Sequence, residues 1–392
     1  MTHIDTDCIV VGGGPAGLVL GLVLARAGVD VVVLEKHADF LRDFRGDTVH
    51  PSTQDLLAEL GLLEEFLALP HADLPRVTMR YAGNDLVLAD LSRLPTRRKA
   101  IAFLPQWDFL DLLARAGHET GRFDLRMRTE AAELRFDGDR VAGVDAVGPD
   151  GPLTIDARLV VAADGRDSRI RAAAGFTPVS VASPIDVLWF RLPRQPEEAV
   201  PFFHGGAGTL ICIDRGDFWQ IASVLPAGTW TPSEAGLAAL RARVSRLEPL
   251  FASRLQDLAI DDVHLLRVRL ERLQRWYRDG LLVIGDAAHA MSPAGGVGIN
   301  LAVQDAVAAG RILAPVLAAR RPTERDLARV QRRRAWPARL TQAVQRGLQP
   351  SLLDEVPDGA LPSRLRWLTR LPWLRHAVGR LVGLGARPEH LS

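Results

Sequence analysis

The sequence predicts an α/β fold: a parallel sheet wrapped by helices, joined to a second, β-rich unit and closed by C-terminal helices. Three observations carry this. An apolar run at residues 8–11 enters a glycine turn and a long apolar segment, 18–27, before a second apolar run at 29–34. From residue 183 to about 275 the texture changes to short alternating strands with one helical segment. At 280–284 a short apolar run returns, ends in Gly285-Asp286 and feeds an alanine-rich helix over 301–319. A block of strands set inside α/β texture points to two units, and 392 residues can bury both cores.

Apolar residues make up 47% of the chain and charged residues 24%, the balance of an ordinary globular protein. A formal net charge of +1 gives no bulk drive toward nucleic acid, so none is expected as a partner. The two cysteines, Cys8 and Cys212, form no disulfide framework and fit a reducing cytoplasm. The first strand begins within a few residues of Met1, which leaves no room for a signal peptide. No apolar run reaches the roughly 20 residues of a membrane span.

The first turn reads Gly12-x-Gly14-x-x-Gly17, with Pro15 and Ala16 opening the helix. Glu35 ends the second strand, 18 residues after Gly17. Strand, glycine turn, helix, strand and acid together form the βαβ unit of a Rossmann-like dinucleotide-binding domain. Gly12 permits the tight turn, Gly14 lets the backbone approach a pyrophosphate, and Gly17 lets helix and strand pack closely. The pyrophosphate is expected on the helix N-terminus and the ribose on Glu35.

A polar loop, 36–53, follows and contains Lys36, Arg45, Gly46, Asp47 and Thr48; a helix over 54–60 ends at Gly61. Residues 77–81 and 86–90 flank Gly83-Asn84 and read as a hairpin belonging to a second sheet. Residues 104–108 open a helix through 116, with Gln106 at its entry. Strands at 124–127, 132–136, 141–147 and 153–157 form a meander containing Ala131 at its start. A buried strand over 158–163 then runs into Asp164-Gly165. In the β-rich unit, strands are expected at 187–192, 209–213, 218–224 and 263–270, with a helical stretch over 233–258. After 280–284 the loop Gly285-Asp286-Ala-Ala-His289-x-x-x-Pro293-x-x-Gly296-x-Gly298-x-Asn300 offers a second helix N-terminus to a polar ligand. The tail, 361–392, has six arginines and one acid, Glu389; it reads as a capping helix, with weak contact to a membrane surface as the alternative.

These three motifs in this order resemble those of the FAD-dependent monooxygenases of the p-hydroxybenzoate hydroxylase-like superfamily, the single-component aromatic hydroxylases. The resemblance spans residues 5–345. It implies a glutathione-reductase-like FAD-binding domain built from residues 1–72, 101–178 and 278–345, a substrate domain from 73–100 and 179–277, and a helical tail over 346–392. It implies FAD contacts from Gly12, Gly14, Pro15, Ala16, Gly17, Glu35, Lys36, Arg45, Gly46, Asp47, Thr48, Gln106, Ala131, Asp164 and Asp286. It further places Pro293 on the substrate side and wraps Gly296, Val297, Gly298, Ile299 and Asn300 around the flavin's pyrimidine edge. NAD(P)H is the implied electron donor, and O₂ the oxidant, acting through a flavin C4a-hydroperoxide. No metal and no acid–base residue is implied. The strands of the β-rich unit carry Trp189, Phe190, Phe202, Phe203 and Trp219, which suit an aromatic, polyketide or isoprenoid ligand and equally suit a core. The flavin halogenases' Trp-x-Trp-x-Ile-Pro signature is absent. A geranylgeranyl reductase-like reductase and a flavin-binding protein without turnover are the alternatives.

Overall fold

The computed structural model describes residues 2–41, 48–81, 83–206, 208–293, 295–353, 367 and 370–391. Its main sheet holds five parallel strands in the order Leu281–Val283, Gly151–Ala162, Thr2–Val11, Val31–Leu34 and Phe123–Arg126. Tyr277–Arg278 adds an antiparallel edge. Val11 pairs with both Leu34 and Ala162, and Ala162 pairs with Val283. Four strands therefore stop at one level, and the loops that follow them share one edge. The apolar runs are β-branched and buried on both faces, as a helix-covered parallel sheet requires.

One difference from the sequence reading is instructive. The expected strands at 153–157 and 158–163 are a single strand of 12 residues, Gly151–Ala162. Its first half bonds both to Arg140–Gly148 in the meander and to Thr2–Val11 in the parallel sheet. The polar residues Asp156 and Arg158 suggest a break, but they lie half-buried where the two layers diverge.

The helix Pro15–Arg26 is buried along its whole length from Ala16 to Ala25. Leu18, Leu20, Leu22 and Leu24 are each fully enclosed, and each contributes about 1.5–3 kcal/mol of burial. Glycines make the close packing possible: a Cβ at Gly21 would lie 2.5 Å from the Phe123 ring, and one at Gly310 would lie 2.4 Å from Val23. Gly310 belongs to the helix Gly298–Ala319, which begins three residues earlier than the sequence suggested. That helix is long and apolar enough to cross a membrane by length and composition, but most of it is buried inside the protein.

The second sheet has seven strands, in the order His264–Arg267, Ile185–Pro193, Phe218–Pro226, Thr209–Asp214, Phe203–Gly205, Arg76–Tyr81 and Asn84–Asp90. The hairpin enters it through a parallel pairing of Arg76–Tyr81 with Phe203–Gly205. One face is covered by the helix Glu234–Leu247 and buries Phe190, Leu192, Trp219 and Ile221. The opposite face carries Trp189, Phe203 and Ile211, all half-buried, near Phe103 and the C-terminal helix Pro372–Leu384; Phe202, just before the strand Phe203–Gly205, packs into the same cluster. Alternation thus sorts four of the five aromatics: Phe190 and Trp219 face the covering helix, and Trp189 and Phe203 the other side. A small third sheet joins Thr48–Val49, Ile101–Phe103 and Ala72–Leu74, and meets the second sheet's aromatic cluster where Phe103 packs on Phe202.

Candidate functional site

The loops at the shared carboxyl edge contain the motifs. Gly12 has φ +108°, a backbone that L side chains avoid, and a Cβ there would meet the Ala163 carbonyl at 2.5 Å. A Cβ at Gly17 would lie 1.9 Å from the Gly12 carbonyl, so helix and turn touch. Gly14 differs from both: its φ is −80°, and nothing lies within 4 Å of its Cβ position. Gly14 caps the helix Pro15–Arg26 with no side chain over the end, leaving the first N–H groups, those of Ala16 and Gly17, free of side-chain caps; Pro15 has none to satisfy. Glu35 is nearly buried; its Oε2 accepts from the Gly13 amide and its Oε1 from the His37 amide, both at 3.0 Å. Lys36, next in the chain, is exposed. Thr129, whose amide donates to the Glu35 carbonyl, leads into Ala131, buried in the strand Glu130–Asp137. Arg45, Gly46 and Asp47 lie outside the described residues.

Asp164 accepts from the Ser168 hydroxyl and, at 3.3 Å, from the Ile170 amide. Burial raises its pKa above the usual carboxylate range, against the pull of those donors. Arg166 spans the next gap: its Nε donates to Asp286 Oδ2 at 3.0 Å. The two acidic loops are therefore joined by an ion pair that the sequence reading missed; the signal was the arginine two residues after Asp164. Gly285 fits between Ala16 and Ala302, at 3.1 and 3.5 Å from its Cβ position.

Behind Gly285 is a buried charge cluster. Asp305, fully enclosed in the helix Gly298–Ala319, accepts from the Gly285 amide at 3.2 Å and from Arg334 Nε at 3.0 Å. It also contacts His289 Nε2 at 2.5 Å. Arg334 continues to Glu389 at 3.2 Å, and Glu389 is held by Arg333 at 2.7 Å. Burial alone would raise the Asp305 pKa, but His289 and then Arg334 outweigh it and hold the group below the usual range. Sequence inspection could not find this cluster, because its members run from His289 to Glu389, 100 residues apart, with no shared motif; the Glu389 amide donates to Gln304 Oε1, next to Asp305.

The flavin-edge residues of the sequence reading also converge. Pro293 is half-buried, and Gly296 has φ +62°. The Gly296 carbonyl accepts from Thr48 Oγ1 at 2.7 Å and faces His50 Nε2 at 3.1 Å. Val297 caps the helix Gly298–Ala319 without a side-chain bond, and the Cβ position of Gly298 is open. Ile299 and Asn300 are buried; Asn300 Oδ1 accepts from Ser52 and Thr53, each at 2.8 Å. Gln106 is the half-buried first residue of the helix Gln106–His118. Leu104 and Pro105 separate it from the strand Ile101–Phe103, which pairs Phe103 with Thr48.

Two helix N-termini without side-chain caps, two glycines open to space and one nearly buried acid at a single sheet edge suit a dinucleotide with a pyrophosphate and a ribose. The depression at the opposite end of the sheet, around Asp5, Asp30 and Arg122, is lined by strand and loop residues, with no helix N-terminus among the described residues that line it.

The chain belongs to the FAD binding domain family, which it matches over residues 5–344. It is a FAD-dependent oxidoreductase of the aromatic hydroxylase superfamily. It is 34% identical over 386 residues to a 6-methylpretetramide 4-monooxygenase of Streptomyces rimosus, covering 96% of this chain and 92% of that protein. The anhydrotetracycline hydroxylase OxyS of Streptomyces rimosus superposes with a TM-score of 0.77 at 25% identity, over 98% of this chain and 77% of that one. A digeranylgeranylglycerophospholipid reductase 2 of Methanothermobacter thermautotrophicus is 27% identical over 92% of this chain and 91% of its own length. Other matched monooxygenases are longer, and this chain spans 63% and 64% of two of them.

Proposed function

We propose that this protein is an NAD(P)H-dependent FAD monooxygenase that oxygenates an aromatic polyketide. One observation carries the substrate class. Phe202, just before the strand Phe203–Gly205 of the second sheet, packs on Phe103 with ring centroids 5.3 Å apart. Phe103 pairs with Thr48, and Thr48 bonds the Gly296 carbonyl. The half-buried apolar cluster therefore lies three contacts from the turn assigned to the flavin's edge, close enough for a planar apolar substrate. The similarity to monooxygenases named for tetracyclic substrates supports the same class.

The roles of this chain's residues follow from the geometry. Gly14 leaves room for the pyrophosphate over the N–H groups of the first helix turn. Glu35 keeps acceptor capacity for a ribose while the Gly13 and His37 amides fix its orientation. Ala131 offers backbone to the adenine, and Gln106 and Asp286 offer polar groups to the ribityl chain and pyrophosphate. The Arg166 ion pair sets the direction of Asp286. Val297 to Asn300 present backbone N–H groups and a helix dipole, which favour negative charge at the flavin's pyrimidine edge, while the Gly296 amide donates to the Pro293 carbonyl. Arg45, Gly46, Asp47 and Lys36 join the set through the family resemblance. When bound, FAD supplies electron transfer from NAD(P)H and the activation of O₂. The chain's own task is orientation and exclusion of water.

The reductase alternative differs in one observable, since a reductase turns over without O₂. Purified holoenzyme is therefore assayed for NADH and NADPH oxidation with and without anhydrotetracycline, in air and under argon. The proposal predicts substrate-stimulated NAD(P)H oxidation and product only in air. Product formed under argon would overturn it in favour of the reductase.

A further inference from the structure

The C-terminal helix Pro372–Leu384 docks on the strand Asn84–Asp90 through two glycines one turn apart. A Cβ at Gly379 would lie 2.2 Å from the Asp90 carbonyl, and one at Gly383 would lie 2.6 Å from Leu94. This close seating aims the helix's C-terminal end at His50. His50 Nδ1 lies 2.8 Å from the Val382 carbonyl, one of the last-turn carbonyls that have no partner within a helix. The other ring nitrogen, Nε2, faces the Gly296 carbonyl at 3.1 Å. His50 is fully buried, so water does not substitute for either contact. One neutral imidazole thus lies between the end of a helix seated on the substrate-side sheet and the turn assigned to the flavin's edge, donating its single N–H to one of the two carbonyls and packing against the other. Thr48 Oγ1 donates to the same Gly296 carbonyl at 2.7 Å.

We propose that His50 is a positioning residue that transmits the docking of the C-terminal helix to the Gly295–Gly296 turn, and so sets how that turn grips FAD. The helix is then part of the flavin site's support, although it contributes no residue to the cofactor contacts. The inference rests on the placement of that turn beside the flavin, as argued above.

The test is a double-mutant cycle on the full chain, read by FAD titration and by the visible circular dichroism of the bound flavin. His50→Ala removes the link, and Gly379→Val lifts the helix from Asp90 while touching nothing at the cofactor edge. Each single variant is expected to raise the FAD Kd by about fivefold to tenfold, the effect of one hydrogen bond of this kind. Both should give the same altered flavin dichroism, and the double variant should be no worse than the weaker single. Hydrogen exchange over 372–384 should rise in Gly379→Val. Thr48→Val serves as the control for the turn itself. Additive effects, or a Gly379→Val protein with raised exchange and unchanged flavin signals, would overturn the coupling while a responsive Thr48→Val leaves the turn's placement standing. Flavin signals unmoved in Thr48→Val as well would overturn the placement and the coupling together. Unchanged exchange in Gly379→Val would contradict the docking geometry and overturn the proposal too.

Discussion

Gly14 and Gly17 differ by three positions and should fail in opposite ways when replaced by alanine. At Gly17 the new Cβ would lie 1.9 Å from the Gly12 carbonyl. Helix and turn would have to separate, and overpacking of this kind costs about 1–3 kcal/mol of stability or more. At Gly14 the φ of −80° is ordinary for an L residue and the Cβ position is open. Alanine is a poorer N-cap than glycine, but it reduces the entropy of the unfolded chain; the two effects offset to within about 1 kcal/mol. The apoprotein of Gly14→Ala should therefore unfold near the wild-type temperature. Its new methyl group would occupy the space over the helix N-terminus. Losing one N–H bond to a charged phosphate is worth about 1.5–3 kcal/mol, so the FAD Kd should rise by about 10- to 100-fold. Thermal unfolding of both apoproteins and fluorescence-quenching titration with FAD provide the two readouts. Wild-type FAD affinity in Gly14→Ala, or unfolding of Gly14→Ala at the temperature of Gly17→Ala, would refute the reasoning.

Other consequences can be measured on the same preparation. Asp305→Ala leaves His289 and Arg334 facing a buried gap, and thermal or urea unfolding should show a loss of about 3–5 kcal/mol. Asp305 has a depressed carboxyl pKa in the folded protein, so its stabilisation is present above the unfolded value of about 4 and is lost as pH falls through the folded pKa. His50, whose pKa burial lowers against the pull of the Val382 and Gly296 carbonyls, acts earlier: below about pH 6.5 the unfolded chain takes up its proton first, and stability declines. Urea melts from pH 7 to pH 3 should show both declines, and His50→Gln should shrink the first, the remainder coming from His204, whose pKa burial also lowers. Phe190→Ala and Trp219→Ala, on the helix-covered face, should each cost about 3–5 kcal/mol of folding stability. Trp189→Ala and Phe202→Ala, in the half-buried cluster, should cost less and raise KM for anhydrotetracycline, measured by steady-state NAD(P)H oxidation.

What the sequence made legible was the local part of the site. Each motif at the carboxyl edge immediately follows an apolar strand, so Gly12, Glu35, Asp164 and Asp286 could be placed by strand ends alone. The hairpin at 76–90 was legible as a hairpin because alternation and a turn signal are local. Its parallel pairing with Phe203–Gly205 was not, because that depends on a contact across more than a hundred residues. The same limit hid Arg166–Asp286, Asp305–Arg334–Glu389 and His50–Val382, each of which joins loops or helices distant in sequence. The aromatics of the second sheet were ambiguous for a different reason. Strand alternation separates two faces, but it takes the position of the helix Glu234–Leu247 to say which face is covered. The basic tail was legible as a capping helix but not in its docking: Gly379, Gly383 and Glu389 seat it against Asp90, Leu94 and Arg334, all distant in sequence.

The central claim, oxygen transfer from O₂ to an aromatic polyketide, is tested most directly with ¹⁸O₂. Holoenzyme, NAD(P)H and a panel of tetracyclic aromatic polyketides including anhydrotetracycline are incubated under labelled oxygen, and the products are weighed by mass spectrometry. The account predicts a product heavier by one ¹⁸O atom, with NAD(P)H consumed in step with it. A product that carries no label, or one formed equally well without oxygen, would contradict it.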